Sequence, residues 1–124
     1  DYIHSVDSEK LAKKISDESN KIKKKIKIFI QVNIGREEQK SGVDLNNLEN
    51  LILCCKEIKL DLLGLMCIPP FNKDPIKYFK EMEKLNSYYG FSELSMGMSS
   101  DYLAAIKNSA TFLRIGSDIF GNRA

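Results

Sequence analysis

The 124-residue sequence contains no tryptophan, one histidine, three cysteines and three prolines. Two of the cysteines, Cys54 and Cys55, are adjacent, so the three form neither a disulfide framework nor a CxxC metal site. This cysteine usage favours a reducing, cytoplasmic setting. No apolar run approaches the roughly 20 residues that cross a bilayer, and the amino terminus lacks a basic-then-apolar signal pattern.

The sequence also lacks a large excess of positive or negative charge, since its net charge is only +2. So small a net charge gives no general reason to expect a nucleic-acid or membrane partner. The basic run from Lys21 to Lys27 has no aromatic residues interleaved for base stacking. We interpret it as a solvated helix end and loop, and the alternative is a patch that binds phosphate or nucleic acid. The sequence offers no catalytic triad, metal cluster or productively spaced carboxylate pair, so no catalytic or metal-binding residue is predicted.

Strand and helix patterns alternate along the chain without a linker, repeat or low-complexity segment. Short apolar runs predict strands at residues 1–6, 26–33, 62–68, 93–96 and 111–115, with four helices between them. Asp7 or Ser8 is expected to cap the first helix, and Gly90 to end the third. Alternation of this kind is typical of an α/β fold with a parallel sheet.

Several residues that could carry chemistry are instead expected to pack. His4 lies at a strand end, where a single histidine is more often a packing residue than a catalyst. Cys55 belongs to an apolar helical stripe, and Met66 and Cys67 lie in a continuous apolar strand that is expected to be buried on both faces. Nothing near Cys67 in the sequence would lower the pKa of its thiol enough to make it a nucleophile.

The last third of the chain contains two strands that end in small polar residues. The strand at 93–96 runs into Gly97-Met98-Ser99-Ser100-Asp101 and a helix, and the strand at 111–115 runs into Gly116-Ser117-Asp118. A strand that stops at Gly and Ser before a helix presents free backbone N–H groups and a positive dipole end, which hold phosphate. Two such ends, one β-α unit apart, predict a single phosphate site. The alternative is two turns that only connect secondary structure.

The same residues carry a family resemblance. The segments SMGMSSDYLAAI and RIGSDIFGNR, with IHSVDS (3–8), QVNIGREEQKSGV (31–43) and GLMCIPP (64–70) upstream in the same order, resemble the pyridoxal phosphate homeostasis proteins of the YggS/PROSC type. Four ordered segments, with the two C-terminal ones counted together, are more specific than one glycine-rich turn. The resemblance covers essentially the whole chain.

The resemblance implies an alanine racemase-like (β/α)8 barrel. Such a barrel typically needs about 250 residues, so we expect residues 1–124 to form one domain that is the C-terminal portion of the barrel, a fragment with about five parallel strands. The family carries its Schiff-base lysine at the end of its first strand, in an N-terminal segment that this chain lacks. That role is therefore assigned to no residue here.

The resemblance also implies a cofactor site for pyridoxal 5′-phosphate (PLP). The hydroxyl of Ser99 and the amides of Gly116 and Ser117 are expected to hold the phosphate, with Met98 beside the first turn. Arg114 is expected near the pyridine nitrogen, although it could instead form a salt bridge at the barrel rim. A guanidinium is a permanent donor, so the ring nitrogen stays unprotonated and the ring is a poor electron sink.

Two further residues are predicted at this site from their position on the barrel. Asn33 lies at the C-terminal end of the strand at 26–33, where barrel enzymes place their functional residues. Lys40 lies in the long polar loop at 34–42 that follows, and is a candidate for a secondary amine only.

The implied function is cofactor homeostasis, in which PLP is bound, buffered or delivered to apo-enzymes without substrate turnover. A complete family member is expected to be a monomer, whereas an isolated fragment is expected to associate through its strand edges. Two alternatives remain open. One is an amino-acid racemase-like enzyme, which needs a tyrosine or carboxylate opposite the lysine. The other is a structural half-barrel that has lost the cofactor function.

Overall fold

The structure is a computed structural model of the chain, which describes residues 2–37, 41–70, 73–98 and 101–114. Its elements in chain order are β1 (Tyr2–Val6), α1 (Glu9–Ile22), β2 (Lys27–Gln31), α2 (Leu48–Glu57), β3 (Asp61–Met66), α3 (Pro75–Tyr88), β4 (Glu93–Met98), α4 (Tyr102–Lys107) and β5 (Phe112–Arg114). The predicted alternation of five strands and four helices is confirmed. Among the described helices, none has the length and apolar content needed to cross a bilayer.

All neighbouring strands pair in parallel, and their order in the sheet, β1-β2-β3-β4-β5, is their order in the chain. A parallel sheet with one helix per connection puts every strand's carboxyl end at one edge and every amino end at the other. The predicted α/β fold with a parallel sheet is therefore confirmed.

The sheet is strongly curled. Tyr2 lies on β1 and Phe112 on β5, the two outer strands, yet their ring centroids are only 5.3 Å apart. Strands in a flat sheet are about 4.8 Å apart, so the outer two of five would be separated by about 19 Å. His4 of β1 also reaches Ser95 of β4, with 2.7 Å between Nδ1 and Oγ. This curvature is that of a portion of a barrel, as predicted.

The two faces of the sheet bury different side chains. The outer face packs against the helices through a buried apolar cluster that includes Ile28, Ile30, Leu65, Leu94 and Met96 from the strands. The helices contribute Ala12, Ile15, Leu51, Ile52, Cys55, Phe79 and Met82. On the inner face, His4 stacks on Phe29 with ring centroids 4.6 Å apart. Cys55, Met66 and Cys67 are all buried, so the predicted packing roles of these residues and of His4 are confirmed.

The helix ends follow local signals in the sequence. The Ser8 hydroxyl accepts a hydrogen bond from the Leu11 amide and caps α1, and Asp74 caps α3 just before Pro75. Gly90, at a φ of +79°, ends α3 as predicted. Helix α2 begins at Leu48, after a turn in which the Asp44 side chain accepts a hydrogen bond from the Asn47 amide.

The buried side chain of Asn86 joins α3 to β3 and β4. It lies beside Gly64, where no side chain fits. Asn86 accepts a hydrogen bond from the Leu65 amide at 3.0 Å and donates one to the Glu93 carbonyl at 2.8 Å. A Cβ on Gly64 would lie 1.8 Å from the Glu93 carbonyl oxygen. Glycine at this position therefore permits the close approach of β3 and β4.

We expect Gly64→Ala to lower the free energy of unfolding by about 3 kcal/mol, because the clash is with backbone that cannot rotate away. The measurement is urea unfolding followed by circular dichroism. Gly90→Ala is the matched control, since nothing lies within 4 Å of its Cβ and only the positive φ opposes the substitution. That control should lose about 1 kcal/mol, and equal losses in the two variants would contradict the packing account.

Candidate functional site

The candidate site is the edge of the sheet where the parallel strands end. Met98 and Arg114, the last residues of β4 and β5, are register partners. The chain therefore leaves these two strands from adjacent positions, about 4.8 Å apart in the sheet. The two turns predicted to hold phosphate begin at these positions.

Most of the predicted cofactor residues lie outside the part of the chain that the structure describes. These are Lys40, Ser99, Gly116 and Ser117. The backbones of Met98 and Arg114 are described and end neighbouring strands. Of the seven residues predicted for the site, Asn33 is the one whose side-chain contacts the structure gives, and it lies two residues after β2, which ends at Gln31 and not at residue 33.

The turn after β4 departs from the expected form in one respect. Helix α4 has only six residues, Tyr102–Lys107. The helix macrodipole grows with aligned peptide units, so a helix this short adds little to anion binding. The dipole of this helix therefore gives little support to the phosphate site predicted at this edge. Gly97, at a φ of +103° and buried, adopts a backbone conformation that side chains rarely allow just before the strand ends.

The loop after β2 is fastened at its start by Asn33. The Asn33 amide donates to the Glu37 carbonyl at 2.5 Å and accepts from the Glu37 backbone N–H at 3.1 Å. Both ends of the side-chain amide are thus bonded to one backbone residue, which closes a turn. In this structure Asn33 shapes the loop that leads to Lys40, a role that sequence reasoning missed.

The far end of the same loop is tied to β1 and β2. The Gly42 amide donates to the Asp7 carboxylate at 3.0 Å, and the Val43 amide donates to the Gln31 carbonyl at 2.8 Å. A Cβ on Gly42 would lie 2.7 Å from the backbone nitrogen of Asn33. Asp7 was one of two predicted helix caps. Ser8 takes that role, and Asp7 instead holds the loop.

An ion pair attaches the middle of this loop to the neighbouring helix. Arg36, in a left-handed backbone conformation, donates to Glu81 of α3 at 2.6 Å and to the Ile34 carbonyl at 3.1 Å. Both charged side chains are partly exposed, so the pair adds little to global stability. Its effect is local, because it fixes the direction in which the loop leaves the sheet.

A cavity of about 340 Å³ lies beside this loop but does not suit a phosphate. Its lining includes the carboxylates of Asp7, Glu9 and Asp44, together with Asn47 and Gly42. An anion would be repelled by these carboxylates. Within the described ranges, no group of three histidine, cysteine or acidic residues is placed to hold a metal ion.

The three thiols are free and poorly nucleophilic. Burial raises the pKa of Cys55 to about 12. Burial, reinforced by the negative charge of Asp101, also raises the pKa of Cys67. The pKa of Cys54 is raised in the same direction, again mainly by burial. At neutral pH all three therefore remain thiols, which agrees with the packing roles predicted for Cys55 and Cys67.

Comparison with known proteins gives consistent matches over the whole chain. Residues 1–124 match the family described as alanine racemase, N-terminal domain. A pyridoxal phosphate homeostasis protein from Aquifex aeolicus is 37% identical over 131 residues, which cover 98% of this chain and 58% of that protein. The Escherichia coli K12 protein of the same name is 33% identical over 132 residues, covering 99% of this chain and 56% of that protein.

A solved structure of PipY from Synechococcus elongatus, with PLP bound, matches with a TM-score of 0.86 at 28% identity. The match covers 98% of this chain and 61% of that chain. This chain therefore spans less than two thirds of the length of these relatives.

We expect iodoacetamide at pH 8 to modify Cys54 at least about tenfold faster than Cys55 or Cys67 in the native protein, because Cys54 is half-buried and the other two are buried. Peptide mass spectrometry after timed quenching measures the three rates. In urea the three rates should converge. Rapid native labelling of Cys67 would contradict the packed strand.

We expect Asn33→Ala to speed tryptic cleavage within residues 34–42 about tenfold, because two hydrogen bonds of about 1 kcal/mol each close this loop. Limited proteolysis with mass spectrometry gives the rate. Asn50→Ala, an exposed position on α2, is the matched control. Equal cleavage rates in the two variants would show that the bonds to Glu37 do not hold the loop.

Proposed function

The chain belongs to the alanine racemase N-terminal domain family, and on that premise we propose that it binds PLP and acts in cofactor homeostasis. In this role it buffers the cofactor or delivers it to apo-enzymes in the cytoplasm, without turning over a substrate. The relatives named as pyridoxal phosphate homeostasis proteins and the PLP-bound PipY structure support the choice of cofactor.

The observation that carries the proposal is the register between β4 and β5. Because Met98 pairs with Arg114, these two neighbouring strands end side by side. In the sequence, Ser99 directly follows Met98, and Gly116 and Ser117 come two and three residues after Arg114. Backbone amides and a hydroxyl from both segments can converge on one phosphate, and a glycine allows the backbone to approach it closely.

Each of the remaining predicted residues has a distinct task in this proposal. Arg114, the last residue of β5, donates to the pyridine nitrogen. Met98 borders the phosphate turn. Lys40 offers an amine from the loop after β2, and Asn33 keeps that loop at the site edge.

PLP supplies a reactive aldehyde and, when its ring is protonated, an electron sink. A guanidinium has no acidic proton to give at neutral pH, so Arg114 holds the ring nitrogen unprotonated. Carbanion chemistry is then disfavoured at this site. A carrier that binds the cofactor and releases it fits this residue better than a transaminase does.

The match to the alanine racemase domain itself favours a second candidate, an amino-acid racemase-like enzyme. It is tested by exchange of the α-proton of alanine in deuterated buffer, followed by NMR. Exchange that requires both protein and PLP would establish this activity and contradict the proposal of a carrier without turnover.

We also propose that the 124-residue chain associates in solution. Among the described strands, β1 and β5 each pair on one side only. Unpaired strand edges are templates for another chain. Analytical ultracentrifugation tests this, and a monodisperse monomer would contradict it.

The cofactor proposal is tested by titration of the chain with PLP, followed by absorbance, with inorganic phosphate as competitor. We expect Ser99→Ala to weaken binding of both PLP and phosphate about tenfold, because one hydrogen bond to a charged group is lost. Ser92→Ala, at the amino end of β4, is the matched control and should change neither. Absence of saturable binding, or equal affinities of the two variants, would overturn the phosphate site.

The role of Arg114 predicts a different pattern. Arg114→Gln should weaken PLP binding about tenfold and leave phosphate binding unchanged, because the arginine contacts the ring and not the phosphate. Lys84→Gln, at an exposed position on α3, is the control for loss of a positive charge. If Arg114→Gln weakens phosphate binding equally, the arginine contacts the phosphate and the assignment is wrong.

The role of Lys40 is tested by borohydride reduction of the PLP complex and peptide mass mapping. We expect the label on Lys40. Lys40→Arg keeps the positive charge and should abolish this label. A label spread over surface lysines would contradict a specific amine at this site.

A further inference from the structure

The opposite end of the sheet, where the strands begin, carries a dense group of lysines. We define the lysine end as Lys21, Lys23, Lys24, Lys25, Lys27, Lys56 and Lys59. All seven side chains are exposed. They lie in the last turns of α1 and α2 and in the connections to β2 and β3, which a parallel fold brings to one edge. The sequence showed only the run at 21–27.

The fold also brings aromatic side chains to the lysine end, although none is interleaved with the lysines in the sequence. Lys27 Nζ lies 5.5 Å from the centre of the Tyr2 ring, and Lys56 Nζ lies 5.8 Å from that of Phe91. Tyr89 contacts both Phe91 and Tyr88, with ring centroids 6.5 and 4.9 Å apart. Tyr88 is 78% exposed, so its ring is available to a ligand.

Carboxylates at this end only partly offset the lysines. Glu18 pairs with Lys21 at 3.6 Å, and Glu57, Asp61 and Glu93 lie on the same edge. Among the described residues, seven lysines outnumber these four carboxylates and Asp17, which precedes Glu18, so this end is positively charged in a chain whose total net charge is only +2. The positive charge of the molecule is therefore concentrated here.

The dipoles of the helices explain only part of this lysine group. Lysines near a helix carboxyl end offset its partial negative charge, which accounts for Lys21 and Lys23 at α1 and Lys56 at α2. Lys24, Lys25 and Lys27 follow the end of α1 and have no such role. All three are exposed, so their charges are available to an anionic partner.

We propose that the lysine end binds single-stranded nucleic acid. Lysines attract the phosphates as hydrated point charges, and exposed aromatic rings stack on unpaired bases, which is the combination that sequence-tolerant single-strand binders use. The surface lies at the end of the sheet opposite to the proposed cofactor site, so the two proposals are independent.

An anionic membrane is the rival partner and fits less well. Membrane-surface helices offer a continuous apolar face beside their lysines. The apolar face of α1 is used in the core, where Ala12 and Ile15 are buried. Ile22 is an exposed apolar side chain at this end, at 52%, and one isoleucine gives little insertion into lipid.

The test is fluorescence anisotropy of the full chain with fluorescein-labelled single-stranded RNA and DNA of mixed sequence, each about 15 nucleotides long. The triple variant Lys23→Gln, Lys24→Gln, Lys25→Gln removes three phosphate contacts. Between about 50 and 200 mM salt, we expect this variant to bind at least about tenfold more weakly, and its log-log salt slope to be smaller by about 2. Lys10→Gln, Lys13→Gln, Lys14→Gln, an equal charge change in the first turns of α1, is the matched control.

A second variant tests stacking, which a general polyanion site would not require. Tyr88→Ala should weaken oligonucleotide binding at least about fivefold and leave inorganic polyphosphate binding unchanged, whereas Tyr88→Phe should retain both.

No oligonucleotide binding at low salt would overturn the proposal, as would equal losses of affinity in the two triple lysine variants. An unaffected Tyr88→Ala variant would overturn single-strand recognition, and stronger binding to phosphatidylserine vesicles than to oligonucleotide would identify a membrane surface instead.

Discussion

The curvature of the sheet is the constraint on which the rest of the structure depends. Five strands paired in chain order would form a flat ribbon with two distant edges, yet Tyr2 and Phe112 from the outer strands are in ring contact. His4 and Ser95 add a hydrogen bond across the same concave face. His4 stacks on Phe29, and Phe112 meets both rings edge-on, so these three side chains fill this face. The curling brings side chains of the two outer strands, β1 and β5, into contact on this face.

Parallel pairing then separates the molecule into two ends with different chemistry. At the carboxyl edge, the loop after β2 is held by hydrogen bonds from Asn33 and Asp7 and by the ion pair of Arg36. β4 and β5 also end at this edge, at Met98 and Arg114. At the amino edge, lysines and aromatic rings are exposed. Binding at one edge therefore need not interfere with binding at the other.

Most of the fold could be predicted from sequence because its signals are local. Apolar periodicity located all five strands and four helices, and Gly90 marked a helix end correctly. Helix boundaries are harder to predict where a turn competes with a helix, as at the Asp44 turn just before α2. Hydrogen bonds such as those between Gly42 and Asp7 and between Leu65 and Asn86 join residues that are 35 and 21 positions apart in the sequence. The periodicity of apolar residues carries no information about such contacts.

The candidate site was predicted less completely than the fold. The position of Asn33 at a strand end followed from the sequence, but its bonds to Glu37 did not, because they depend on the path of the loop. The register of Met98 with Arg114 supports the predicted convergence of two turns, and the roles of Ser99, Gly116, Ser117 and Lys40 stay predictions. Aromatic residues beside the lysines were missed because Tyr2 and Phe91 are far from residues 21–27 in the chain.

The most direct test of the account is a crystal structure of the chain grown with PLP. The account predicts the phosphate between the turns that follow Met98 and Arg114, at the carboxyl edge, with the pyridine ring beside Arg114. PLP bound at the lysines of the amino edge, or a phosphate held by residues of neither turn, would contradict it.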